Sequence, residues 1–469
     1  MGLGIPLPSA VRNQNFRNVS GQKLAVRNPH GFINLFSAAL ICDKMPWQTA
    51  MPARPVLLHP ERWGRLRPRY EIAKPRKMLA LDGGGIRGLI SLGILKRLEE
   101  RLVSLNGGTS QFRLCDYFDY IAGTSTGAII AAGLARGMSV QQLITFYKNS
   151  GRDMFEKSRL AQRLVSFYTA DPLREQLKKV FNTNDDGTYD LKALDKDLSP
   201  DNLRCLLLVV ARNVTTDSPW PISSNPDAHY NDPNRRDCNL RIPLWQLVRA
   251  STAAPIYFPP EVLNWDKSDP LKTFIFVDGG MTPYNNPAFL LLRMATHRAY
   301  RLEWQIGEKD LLLISIGTGM ADDPSFKSNI NIVSNLAGLP STLMHGVQID
   351  QDINCRIFGR CTYGDFIDRE LRDLTCRDAG FECTVEERQE AEHTSLDRDL
   401  GRAFLYARYN ADLSREGLNA LGCSQMDPEK VQKLDAVDQM DNLLQIGLNA
   451  GEKIKLEHFG PFAHQAAIT

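Results

Sequence analysis

At 469 residues the chain is long enough for one large domain with additions, and its 43% hydrophobic and 23% charged content excludes a mainly disordered protein. The net charge of +2 conceals an asymmetry: residues 1–77 hold 13 Lys/Arg against three acids, a surplus of ten that leaves −8 for the remainder. Nine cysteines, an odd number with no Cys-x-x-Cys pair, exclude a disulfide scaffold and point to a reducing compartment.

Residues 1–74 carry scattered prolines and little periodicity, which predicts an extended basic arm, either solvated along the body or in contact with anionic lipid headgroups or nucleic acid. The apolar stretch Phe32 to Cys42 starts too far in for an ordinary signal peptide, and Pro6 breaks the myristoylation pattern that Met1-Gly2 would open. No run reaches the roughly 18 apolar residues of a membrane helix. A catalytic core is expected over 75–325. It opens with the strand Met78 to Leu81, a glycine turn, and an amphipathic helix from Leu89 to Leu105. The pattern repeats with a strand over Tyr117 to Ala122, a turn over Gly123 to Gly127, and a helix over Ala128 to Leu134. Further strands are predicted at Leu203 to Val210, Phe274 to Val277 and Leu311 to Ile316. Helices are expected at Val140 to Lys148, Leu173 to Phe181, Leu244 to Ala250 and Ala288 to Tyr300. This alternation implies an α/β fold with a mostly parallel central sheet flanked by helices. Residues 326–469 read as a mainly helical extension packed on that core.

Three turns carry the chemistry. Gly123-Thr124-Ser125-Thr126-Gly127 puts a serine between a strand and a helix, with Gly123 and Gly127 relieving crowding two positions either side. A serine hydroxyl needs a proton acceptor before it becomes a useful nucleophile. Asp278, at the end of a strand and followed by Gly279 and Gly280, supplies a carboxylate where open α/β sheets place their sites. The run Gly83-Gly84-Gly85-Ile86-Arg87-Gly88 can turn successive backbone N–H groups toward an oxyanion, with Arg87 adding positive potential. The same run matches the Gly-x-Gly-x-x-Gly dinucleotide fingerprint, but the next strand ends in Gly123-Thr124-Ser125, not in the acidic residue that a ribose requires. None of the eight histidines sits in a glycine-rich or strand-end setting; His297 and His345 remain as third members of a Ser-Asp-His triad, against Asp278 as the direct base.

These blocks resemble the patatin-like phospholipase family. Arg249-Ala250-Ser251-Thr252-Ala253-Ala254-Pro255-Ile256-Tyr257-Phe258 and Ser315-Ile316-Gly317-Thr318-Gly319 fit as well, as does Tyr409-Asn410-Ala411-Asp412-Leu413-Ser414 near the C-terminus. The resemblance implies a three-layer, modified α/β-hydrolase-like fold and a lipid acyl hydrolase that cleaves phospholipid or galactolipid esters. Ser125 would be the nucleophile, Asp278 the base, and the backbone around Gly83, Gly84 and Gly85 the oxyanion hole, with Arg87 and Gly88 completing that loop. It implies neither metal nor cofactor, no nucleic-acid partner, and a cytoplasmic protein in peripheral contact with membranes. Some bacterial members are effectors switched on by partners or nucleotides, which leaves room for an activator. The competing readings are a general carboxylesterase or lipase on other esters and a nucleotide-binding module using Gly83 to Gly88.

Overall fold

The computed structural model describes residues 57–105, 108, 111–155, 172–183, 195–255, 258–266, 268–320, 346–364 and 401–463. Its centre is a nine-stranded sheet built from β1 (Arg76–Leu81), β2 (Tyr120–Thr124), β3 (Leu206–Asn213), β4 (Ser218–Ser223), β5 (Glu261–Asn264), β6 (Thr273–Val277), β7 (Leu311–Ile316), β8 (Arg360–Tyr363) and β9 (Leu405–Tyr409). The order is β5-β6-β3-β2-β1-β7-β9-β8, with β4 also paired to β3. From β3 to β8 every pairing is parallel, whereas β4, β5 and β6 form an antiparallel flank.

The parallel strands are continuous apolar runs because both of their faces are covered. In β1, Leu79 and Leu81 join one core while Met78 and Ala80 join the other. Ile121 and Ala122 in β2, and Ile314 and Leu313 in β7, divide in the same way. The first core takes α1 (Gly88–Leu105), α2 (Thr126–Arg136), α3 (Val140–Phe155), α4 (Pro172–Asn182) and α5 (Leu244–Ser251). The second takes α6 (Ala288–Thr296). A later helix, α7 (Met440–Gly451), contributes Leu443 and Ile446 to the first core. The result is the three-layer α/β arrangement expected from the sequence.

The boundaries differ from expectation in three places. Residues 57–74 are not a loose arm: Trp63, Leu66 and Tyr70 are buried in the second core. Part of the basic surplus is explained there, because Arg69, Lys74 and Arg76 surround the buried Asp119 at 3.1, 3.3 and 3.5 Å. Burial would push the Asp119 carboxyl up, but these cations win and hold it at about 2. Asp119 precedes β2 and Ser125 follows it, so these cations lie at the end of the sheet away from that serine. Residues 1–56, the remainder of the predicted arm, lie outside the described residues. Second, the chain beyond 325 is not only helical, since β8 and β9 extend the parallel sheet on β7. Third, β2 starts at Tyr120; Leu114–Tyr117 is a short helical turn. Among the described residues no helix is long and apolar enough to cross a membrane, and the six described cysteines are all buried.

Candidate active site

The turn between β2 and α2 fixes the serine. Ser125 has φ 54° and ψ −124°, a conformation that costs a non-glycine residue about 1–3 kcal/mol and that the surrounding structure must impose. A Cβ at Gly123 would stand 2.1 Å from the Gly127 carbonyl oxygen, and one at Gly127 would stand 2.3 Å from that of Leu81. The two glycines are therefore steric requirements of the elbow. Its strain is held by the Ser125 N–H, which donates to Ser251 Oγ at 2.9 Å, while Ser251 Oγ donates to the Val210 carbonyl at 2.6 Å.

Asp278 follows β6 and is 6% exposed. Ser125 Oγ donates to its Oδ2 at 2.6 Å. Its Oδ1 accepts from the Gly280 N–H at 2.7 Å, and its own N–H donates to the Ala253 carbonyl at 3.0 Å. Gly279 permits this placement, since a Cβ there would meet the Val210 carbonyl oxygen at 2.1 Å. Burial raises the Asp278 carboxyl to about 6, with the Ser125 hydroxyl and the Gly280 N–H pulling part of the way back. A carboxylate poised there can accept a proton near neutral pH and return it.

Gly83 brings the glycine loop against the serine: its missing Cβ would lie 3.2 Å from that of Ser125. The loop residues differ in what their backbones offer. The Gly83 N–H donates to the Asn285 carbonyl at 3.0 Å, that of Arg87 to Gly84, and that of Gly88 to the Gly85 and Ile86 carbonyls. The donor function expected of the whole run thus narrows to Gly84 and Gly85, whose N–H groups have no acceptor among the described residues. Gly85 has φ +59°, which turns the chain into α1. Arg87 is half-buried; burial lowers its pKa to about 10, so it remains cationic at neutral pH.

The four histidines among the described residues do not complete a triad. His297 accepts from the Ala299 N–H at the end of α6, and His458 bonds to Tyr409. His345 lies outside the described residues. The groups that sequence reasoning left without a role are those that brace the turns. Thr318 Oγ1 donates to the Gly83 carbonyl at 2.9 Å, Ser251 holds the elbow, and the Leu434 carbonyl accepts from Ile86 N–H at 2.9 Å. Ser251 and Thr318 sit in recognisable blocks; nothing local marks Leu434.

Residues 79–292 match the family model described as Patatin-like phospholipase. The chain is 29% identical over 255 residues to a cGAMP-activated phospholipase of Escherichia coli (strain TW11681), covering 53% of this chain and 63% of that protein. It is 30% identical over 246 residues to a cGAMP-activated phospholipase of Vibrio cholerae, covering 50% and 61%. Patatin-T5 of Solanum tuberosum is 27% identical over 260 residues, covering 52% and 61%. The chain thus spans about three-fifths of the length of the curated relatives it matches. The glycine loop, the serine elbow and Asp278 all fall inside the matched segment, and residues 79–292 carry a domain of the patatin-like phospholipase family.

Proposed function

We propose that the protein is a lipid acyl hydrolase of the phospholipase A type, working through a Ser125–Asp278 dyad. The observation that carries this reading is the 2.6 Å hydrogen bond from Ser125 Oγ to a buried carboxylate, beside a loop with two uncommitted N–H groups. Ser125 Oγ attacks the ester carbonyl and its proton passes to Asp278 Oδ2. The carbonyl oxygen, now an anion, takes the Gly84 and Gly85 N–H groups. Collapse of this intermediate expels the lipid alcohol, which takes the proton from Asp278 and leaves Ser125 acylated. Water then gives a proton to Asp278 as it attacks the acyl carbonyl, and the fatty acid departs as Ser125 recovers its proton.

The substrate is an acyl ester of a membrane phospholipid or galactolipid, met at the membrane surface from the cytoplasmic side. The names of two relatives supply a candidate activator, a cyclic dinucleotide. The test is fatty-acid release from mixed phospholipid vesicles, with and without cGAMP, by the intact protein, Ser125→Ala and Asp278→Asn. Release by the intact protein that falls at least a thousandfold in both variants supports the dyad, since loss of a catalytic nucleophile or its base costs about 10³-fold or more. Wild-type rates in folded Ser125→Ala would overturn it.

A further inference from the structure

A loop of three consecutive glycines has little conformational preference of its own, so something else must set where Gly84 and Gly85 point. Asp82, the residue just before the loop, is 1% exposed and lies at the end of β1. Its carboxylate receives Arg408 Nη2 at 2.6 Å and Nη1 at 3.3 Å. Arg408 belongs to β9, two strands away. It pairs in register with Ser315 on β7, and Nη1 crosses that strand by donating to Ser315 Oγ at 2.6 Å. The guanidinium is itself fixed from behind. Its Nε lies 3.7 Å from Asp352 Oδ2, and Asp352 also accepts from Arg356 at 3.0 and 3.2 Å and from the Tyr406 hydroxyl at 2.8 Å. Arg408 lies outside the segment that matches the family model.

A buried ion pair is a poor source of stability, because apolar residues of the same volume do as well or better. What it does supply is geometry: a planar fork that bridges β9 to β1 defines the carboxylate's position in a way that a lysine's single point charge cannot. We propose that Arg408 is a positioning residue for the oxyanion loop, acting through Asp82 to hold the Gly84 and Gly85 N–H groups toward Ser125. Arg408 does not touch substrate. It works through the first residue of the loop, and it ties the C-terminal part of the chain to the reacting centre.

The proposal rests on the proposed dyad with Gly84 and Gly85 as its oxyanion donors, and its test separates failure of the role of Arg408 from failure of the dyad. The full-length protein, Arg408→Lys, Asp82→Asn and Ser125→Ala are treated with an alkyl fluorophosphonate, whose P=O group uses the same donors. The inactivation rate constant and the reversible binding constant are measured separately, with thermal unfolding as the control for folding. Misplacing a reacting group by about 1 Å costs on the order of a hundredfold. Arg408→Lys keeps the charge and loses the fork, so at least a tenfold drop in the inactivation rate is expected, with binding unchanged and the acid limb near pH 6 retained. Asp82→Asn, which keeps the shape of the acceptor, should give the same pattern and serves if the lysine variant does not fold. A rate within twofold of wild type in the folded variants overturns the role of Arg408. Wild-type labelling in Ser125→Ala overturns the dyad instead.

Discussion

Replacing Asp278 by asparagine should abolish turnover and also stabilise the fold, in a pH-dependent way. The carboxyl is raised from its model-compound value of 3.8 to about 6 by burial. Between those two values the native state holds a proton that the unfolded chain has already released, so stability falls as pH rises through this window. Each unit is worth 1.36 kcal/mol, and the shift of about two units corresponds to about 3 kcal/mol spent at pH 8 on keeping Asp278 ionised. Asparagine retains an oxygen for the Gly280 N–H and can donate its amide to Ser125 Oγ, so the charge is removed while the hydrogen-bonding groups remain. The variant should therefore gain about 2–3 kcal/mol over wild type at pH 8, and close to nothing below pH 4. Urea unfolding followed by tryptophan fluorescence at pH 4, 6 and 8 measures the gap. A gap that is flat, or that narrows toward pH 8, would refute the argument that burial makes Asp278 a base at the expense of stability. The same titration acts on rate: below pH 6 the base form is lost, and kcat/KM should fall about tenfold per unit.

Ser251→Ala removes the acceptor of the Ser125 N–H and the hydroxyl that donates to the Val210 carbonyl. It should cost about 1–3 kcal/mol in denaturant unfolding and lower kcat more than KM, because the strained elbow relaxes. Asp119→Asn removes the shared counter-charge of Arg69, Lys74 and Arg76, and should destabilise the protein by about 3–5 kcal/mol while leaving the labelling rate per folded molecule unchanged. In the wild type, with Asp119 held at about 2, this clamp's contribution is complete above the ordinary carboxylate range and is lost as pH falls toward 2.

The parts of the site that are short and strained were legible in the sequence. Gly123-x-Ser125-x-Gly127 can be read because both glycines answer a local steric demand, and Asp278 because an apolar run ended on it. The strand over Leu311–Ile316 falls where the apolar run places it, and the helix start at Val140 agrees as well. The beginning of β2 was misplaced because Tyr117 and Phe118 are as apolar as the strand itself, yet they belong to a helical turn and its cap. Trp63 and Tyr70 were assigned to a loose arm because prolines interrupt every period around them. Their burial depends on a surface supplied by β1, β2, β3 and α6, which no window around residue 63 contains. The donor assignment in the glycine loop was too broad for a similar reason: whether an N–H is available depends on carbonyls at Asn285, Gly84, Gly85 and Ile86 that only the fold brings into range.

The loop that defines the chemistry is therefore the part of the site least determined by its own residues. Its glycines allow the geometry, and distant groups select it: Asn285 and Thr318 on Gly83, Leu434 on Ile86, and Arg408, 326 positions away, on Asp82. Two of these four lie beyond residue 325, in the region that motif reading treats as an addition. A chain cut there would keep the glycine loop, the serine and the aspartate, and would lose β8, β9 and the guanidinium that anchors the start of the loop. Such a cut would also expose β7, whose six residues are all buried, as an apolar edge. The segment that matches the family model ends at 292, and the strands added after it supply part of the frame that holds the glycine loop.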